Sequence, residues 1–170
     1  MPILAMKPFH VGVAAEAFAA GLFARAGCDV SVQYGANQPE YDLLISRDDM
    51  FLKISVKGSQ SGSWGLTQSH KKGRGYAEAI DYWASKQSAS IVFCLVQFKG
   101  VQLAECPRVY LATIDQVADT LKRSRANAGS TRLREQWSYK RGVAAGSVEA
   151  LPPEWKFSET RLSKLLRRDA

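Results

Sequence analysis

Tyr41-Asp42-Leu43-Leu44-Ile45-Ser46, then Arg47-Asp48-Asp49, then Met50-Phe51-Leu52-Lys53-Ile54-Ser55-Val56-Lys57 is the stretch that decides how this chain folds. Residues 41–46 and 51–57 have the length and side-chain character of strands, and the polar turn between them is short enough to pair them as a hairpin. Side chains alternate between the two faces of a strand. Leu52, Ile54 and Val56 therefore form an apolar row for a helix to cover, while Phe51, Lys53, Ser55 and Lys57 share the other face. On the first strand Asp42, Leu44 and Ser46 lie together. A face carrying Lys53, Ser55 and Lys57 is unusually polar for an interior strand. If it lies beside Asp42, a carboxylate and an ammonium meet near the strand ends.

Upstream, residues 11–26 read as a helix: rich in Ala, free of Pro, and ending at Gly27, a natural residue for a helix C-terminus. Glu16 and Arg25 are its only charged residues. A helix so apolar is expected to be buried on more than one side. A lone Glu on it is costly unless it finds a partner, and Lys57 or a metal ion would serve. Residues 29–33, with Val30 and Val32 alternating, read as a strand, followed by the loop Gly35-Ala36-Asn37-Gln38-Pro39.

Downstream, residues 58–75 are rich in Gly and Ser and end in Lys71, Lys72 and Arg74. A loop of that length is usually functional or disordered. Residues 76–86 predict a helix. Residues 90–98, nearly continuously apolar from Ile91 to Val96, predict a strand buried on both faces. Residues 108–113 predict a strand and 114–123 a helix. Residues 124–150 read as irregular, and 159–168 as a helix with Ser158 as N-cap. The order α-β-β-β-α-β-β-α is that of a mixed α/β protein with one central sheet flanked by helices. The core spans about 10–113 and a basic C-terminal helical extension about 114–170.

The 170 residues suit one domain. The apolar fraction of 46% and charged fraction of 23% exclude a disordered chain. No apolar run approaches the roughly 20 residues that span a bilayer, and residues 1–10 lack the pattern of a signal peptide. A cytoplasmic protein is expected. Cys28, Cys94 and Cys106 match no metal-ligand spacing and read as buried reduced thiols. His10 and His70 have no ligand spacing with them. Gly73-Arg74-Gly75 is too short for a phosphate-binding loop. Residues 1–120 hold eleven Lys/Arg and eleven Asp/Glu, while 121–170 hold twelve against five, so the whole excess of +7 sits in the last third. A localised basic region suits a polyanion such as nucleic acid. Trp64 in the long loop and Trp137-Ser138-Tyr139-Lys140-Arg141 add aromatic rings, which can stack on bases.

A helix carrying an inward Glu16, the turn at Gly27, Pro39-Glu40-Tyr41-Asp42, and Ile54-Ser55-Val56-Lys57 together resemble the PD-(D/E)XK nuclease superfamily, in its resolvase and intron-endonuclease-like branch. Pro152-Pro153-Glu154-Trp155-Lys156-Phe157-Ser158, with Arg161-Leu162, also resembles the endings of small members. The resemblance implies a restriction-endonuclease-like αβββαβ core and metal-dependent hydrolysis of DNA with Mg2+ or Mn2+. Asp42, Lys57 and Glu16 would be the catalytic residues. Asp42, Glu16 and the backbone carbonyl of Val56 would hold the metal, and Lys57 would orient the attacking water or stabilise developing negative charge. The family's second acid falls at Ser55, which is neutral. Ser55, Gln60, Glu40 and Glu78, with Asp81, are the candidate supporting side chains. Lys71, Lys72, Arg74, Arg132, Arg134, Lys140 and Arg141 are the candidate nucleic-acid contacts. DNA is the implied partner, and a homodimer is an assembly common among such nucleases. The alternatives are a catalytically degenerate nucleic-acid-binding module on the same fold, or a protein-interaction domain.

Overall fold

The computed structural model describes residues 5–34 and 40–168; the 35–39 loop, with Pro39 of the motif, lies outside them. In chain order the elements are α1 (Pro8–Arg25), β1 (Asp29–Val32), β2 (Leu43–Arg47), β3 (Met50–Ser59), β4 (Ser63–Gly65), α2 (Tyr76–Ser85), β5 (Ile91–Gln97), β6 (Arg108–Thr113), α3 (Ile114–Asn127), β7 (Arg132–Arg134), β8 (Gln136–Ser138), β9 (Val148–Ala150) and α4 (Glu159–Arg168). β2 and β3 form the expected hairpin, with Leu43 opposite Ile54 and Ile45 opposite Leu52. Its two-residue turn places Asp48 and Asp49 at φ 51° and 62°, the left-handed geometry whose twist matches the strands it joins.

The main sheet has the order β1-β2-β3-β5-β6. β1 and β2 run antiparallel, β5 is parallel to β3 after the α2 crossover, and β6 returns antiparallel. The chain is thus an α/β protein with a mixed five-stranded sheet and small hairpins.

Alternation sorts the core into two layers. Leu43, Ile45, Leu52, Ile54, Val56 and Cys94 pack with Ala15, Ala19 and Phe23 of α1 and with Leu162, Leu165 and Leu166 of α4. Ile91, Phe93, Leu95 and Ala112 pack on the other side with Ile80 and Trp83 of α2 and with Val117 and Leu121 of α3. Every residue of β5 is buried, as its continuous apolar run requires. α1 rides very close to β3: a Cβ at Gly58 would lie 2.8 Å from the Ala15 Cβ and 2.8 Å from the Val11 carbonyl oxygen.

Three expectations need correction. α1 is buried along one side only, through Val11, Ala15, Ala19 and Phe23; Phe9, Val13 and Phe18 are exposed. Its small residues lie close under the sheet, so one layer is enough to seat it. The 58–75 loop contains β4, and 124–150 contains β7, β8 and β9. These strands have three residues each, too few for periodicity to show, and β4 finds its partner β7 across some 70 residues of chain. The expected end of the third helix at residue 123 holds: α3 leaves helical geometry at Ser124, and Arg125, Ala126 and Asn127 follow at φ 55°, 55° and 68°.

The C-terminal extension closes the β6 edge. Phe157 N–H donates to the Val109 carbonyl (2.8 Å). The buried Arg161 guanidinium donates twice to the Leu111 carbonyl (3.1 and 2.8 Å) and once to Gln116 Oε1 (2.6 Å). An open edge is a template for unwanted strand pairing, and here its carbonyls are taken.

Candidate active site at the end of the central strands

Asp42 stands just before β2 and extends the β2–β3 ladder with its own side chain. Its N–H donates to the Ile54 carbonyl (2.8 Å), and its Oδ2 accepts from the Val56 N–H (2.6 Å). The N–H and C=O of one strand residue point to the same edge. The Val56 carbonyl therefore faces the side on which the Asp42 carboxylate sits. Lys57, the next residue, is exposed, and its carbonyl accepts from the Trp64 indole N–H (2.9 Å), which ties β4 to the end of β3.

Glu16 joins this group from α1. Its pKa is raised above the ordinary value of 4.5, first by burial and then by the charge of Asp42, while Lys57 pulls the other way. Burial, then Asp42, also pushes the Cys94 thiol up. Glu16 thus lies within electrostatic reach of both Asp42 and Lys57. The seating of α1 on Gly58 explains why, since Ala15 is the residue that touches it.

The groups the resemblance implies as ligands, the Glu16 and Asp42 carboxylates and the Val56 carbonyl, are all oxygen donors. That chemistry fits a hard divalent cation, with water completing the shell. Among the described residues no cluster of three or more His, Cys, Asp or Glu could hold a metal ion, so the fit rests on two acids.

The remaining candidates are placed as follows. Ser55, at the position of the family's second acid, is buried. Gln60 clamps the segment ahead of α1: its Oε1 accepts from Met6 N–H (2.9 Å) and its Nε2 donates to the Met6 carbonyl (2.6 Å). Glu40 accepts from the Ser88 N–H (3.2 Å). Glu78 pairs with Arg74 (3.7 Å) and Asp81 with Lys122 of α3 (2.5 Å). Those three carboxylates have partners of their own.

The basic candidates fall in two stretches of the chain. Ahead of and on α2, Lys71 lies over the Tyr76 ring (4.3 Å) and Arg74 over Tyr82 (4.3 Å), with Lys72 exposed beside them. On the extension, Arg134 lies over Trp137 (4.4 Å), and Lys140 and Arg141 are exposed in the connection between β8 and β9. With the Gln68 amide turned to offer its oxygen, Arg132 donates to it through Nε and an Nη (both 3.0 Å).

Sequence reasoning missed one partly buried polar network. Glu135 accepts from Arg108 (2.7 and 2.9 Å) and from the Tyr110 hydroxyl (2.7 Å). Burial alone would raise the Glu135 pKa, but these hydrogen bonds outweigh it and hold the carboxyl below its usual value. Tyr110 is pushed up to about 12, first by burial and then by Glu135. No local pattern marks these residues, because the partners are more than 20 positions apart.

Comparison with protein-family models, with curated proteins and with solved structures found no match to this chain.

Proposed function

We propose that the protein is a PD-(D/E)XK-like nuclease that hydrolyses DNA phosphodiester bonds with Mg2+ or Mn2+. The observation that carries this reading is the Asp42 carboxylate held on the Val56 N–H of β3 (2.6 Å), with Glu16 of α1 feeling the charges of both Asp42 and Lys57. Asp42, Glu16 and the Val56 carbonyl are the groups that would hold the cation. When bound, the cation would polarise a phosphate and favour hydroxide formation from water. Lys57, an exposed ammonium next to Val56, is suited to orient that water and to stabilise negative charge as it develops. The Val56 N–H bond fixes the Asp42 carboxylate before substrate arrives, and α1, seated on Gly58, fixes Glu16. Positioning of this kind is worth large factors in rate.

A second reading is favoured by one specific observation. The second-acid position is a buried serine, and Glu40, Glu78 and Asp81 are engaged with Ser88, Arg74 and Lys122. A nucleic-acid-binding module that has lost catalysis would look the same.

Incubation with supercoiled plasmid and Mg2+ or Mn2+ separates the two. The nuclease reading expects nicking or linearisation that falls at least about a hundredfold in Asp42→Ala and Lys57→Ala. Salt-sensitive DNA retention without cleavage sinks it and leaves the binding module.

A further inference from the structure

The extension contains a cleft of about 320 Å3 between α3, β7 and β9. Its size is at the lower end of the roughly 300–1,000 Å3 of small-ligand sites. Three guanidiniums line it: Arg123 from α3, and Arg132 and Arg134 from β7. The two on β7 are two residues apart and so share a face, while Leu133 between them points into the core. Among the described residues none of the three forms an ion pair. The Arg134 Nε is buried and donates to nothing.

One carboxylate lines the cleft, Glu149, and its oxygens are already occupied. They accept from Ser124 Oγ (2.9 Å to each), from the Tyr139 hydroxyl (2.9 Å) and from the Arg125 N–H. Glu149 thereby braces the left-handed turn after α3 against the β8–β9 hairpin, and so sets the width of the cleft. Trp137 stands directly opposite Glu149 across that hairpin. Cross-strand partners share a face, so the indole lies on the Glu149 face of the hairpin, next to the cleft and outside its lining. Arg134 covers part of its ring, and 41% of the residue remains exposed. The other three tryptophans, Trp64, Trp83 and Trp155, are buried.

We infer that this cleft holds an unpaired strand of nucleic acid, with phosphates on Arg123, Arg132 and Arg134 and a base against Trp137. Cationic groups in a groove beside an open aromatic face are the two elements of single-strand binding. A duplex offers no free base face to an indole and is too wide to enter such a cleft. The inference rests on the nucleic-acid reading above but not on metal chemistry at Asp42. It deepens that reading to a substrate class: DNA with a single-stranded segment, such as a branch, flap or gap.

The test uses the full chain with EDTA present, so that no cleavage intervenes. A labelled oligothymidylate of about 12 nucleotides and a blunt duplex of the same length are compared by fluorescence anisotropy, alongside intrinsic tryptophan emission. The single strand should bind at least about tenfold more tightly and quench emission, with the quench absent in Trp137→Phe. Trp137→Ala and Arg134→Ala should each weaken it about tenfold, and Trp137→Phe by less. Arg123→Glu alters the cleft from α3, outside the hairpin, and keeps the test valid if Trp137→Ala loosens β8–β9. Equal or tighter binding of the duplex overturns the inference. So does single-strand binding that ignores both Trp137 and Arg123. Absence of plasmid cleavage would sink the nuclease reading and leave this one standing; intact cleavage with no oligothymidylate binding would do the reverse.

Discussion

Gly58→Ala tests the contact that brings Glu16 to the site. No positive φ is associated with Gly58, so alanine carries no backbone strain there and the effect is steric. The added Cβ would sit 2.8 Å from the Ala15 Cβ, 2.8 Å from the Val11 carbonyl oxygen and 2.9 Å from Val11 Cγ1. Ordinary contact begins at 3.4 Å, so α1 must retreat by about 0.6 Å. Backbone at Val11 cannot rotate away as a side-chain tip could. Overpacking of this kind costs about 1–3 kcal/mol, and the loss of a glycine from the unfolded chain returns about 0.4–1 kcal/mol. Taking the middle of each range, the net expectation is a destabilisation of about 1.3 kcal/mol, read from urea unfolding at unchanged m-value. Under the nuclease reading, displacement of Glu16 should also lower cleavage more than the stability change explains, by roughly tenfold or more. Adding Ala15→Gly removes one of the three close contacts and should restore part of both. Stability within about 0.3 kcal/mol of wild type, with cleavage unchanged, would show that α1 does not depend on this close approach.

Three further outcomes follow from the electrostatics and the edge. The raised pKa of Glu16 means that its ionised form is disfavoured in the fold. Its cost is fully present above the folded pKa and disappears as pH falls below 4.5, the unfolded value. Glu16→Gln should therefore unfold at a higher temperature than wild type at pH 7–8 and lose that advantage by about pH 4. In the same assay Mg2+ should raise the wild-type midpoint and leave Asp42→Ala unmoved, because a cation stabilises only the state that binds it. Arg161→Ala frees the Leu111 carbonyl and Gln116. It should cost about 1.5–3 kcal/mol in urea unfolding and increase self-association through the opened β6 edge, measured by light scattering.

The sequence by itself determined the hairpin, the fully buried strand after it and the helix order. Those features are local: alternation in residues 51–57, a continuous apolar run from Ile91 to Val96, and a short polar turn. It also put Asp42, Lys57 and Glu16 forward together as a group, and located the charge excess in the last third. Tertiary structure alone decided the rest. Only the register of β2 on β3 turns Asp42 toward the Val56 N–H, and only the seating of α1 on Gly58 brings a side chain 26 positions upstream of Asp42 into its field. Glu40, Glu78 and Asp81 could have supplied a missing acid on sequence grounds, but their carboxylates have partners in Ser88, Arg74 and Lys122. The cleft in the extension was invisible for the same reason: its walls come from α3, β7 and β9. Three-residue strands carry too little periodicity to announce themselves, and the contacts that stabilise them are set by partners distant in sequence.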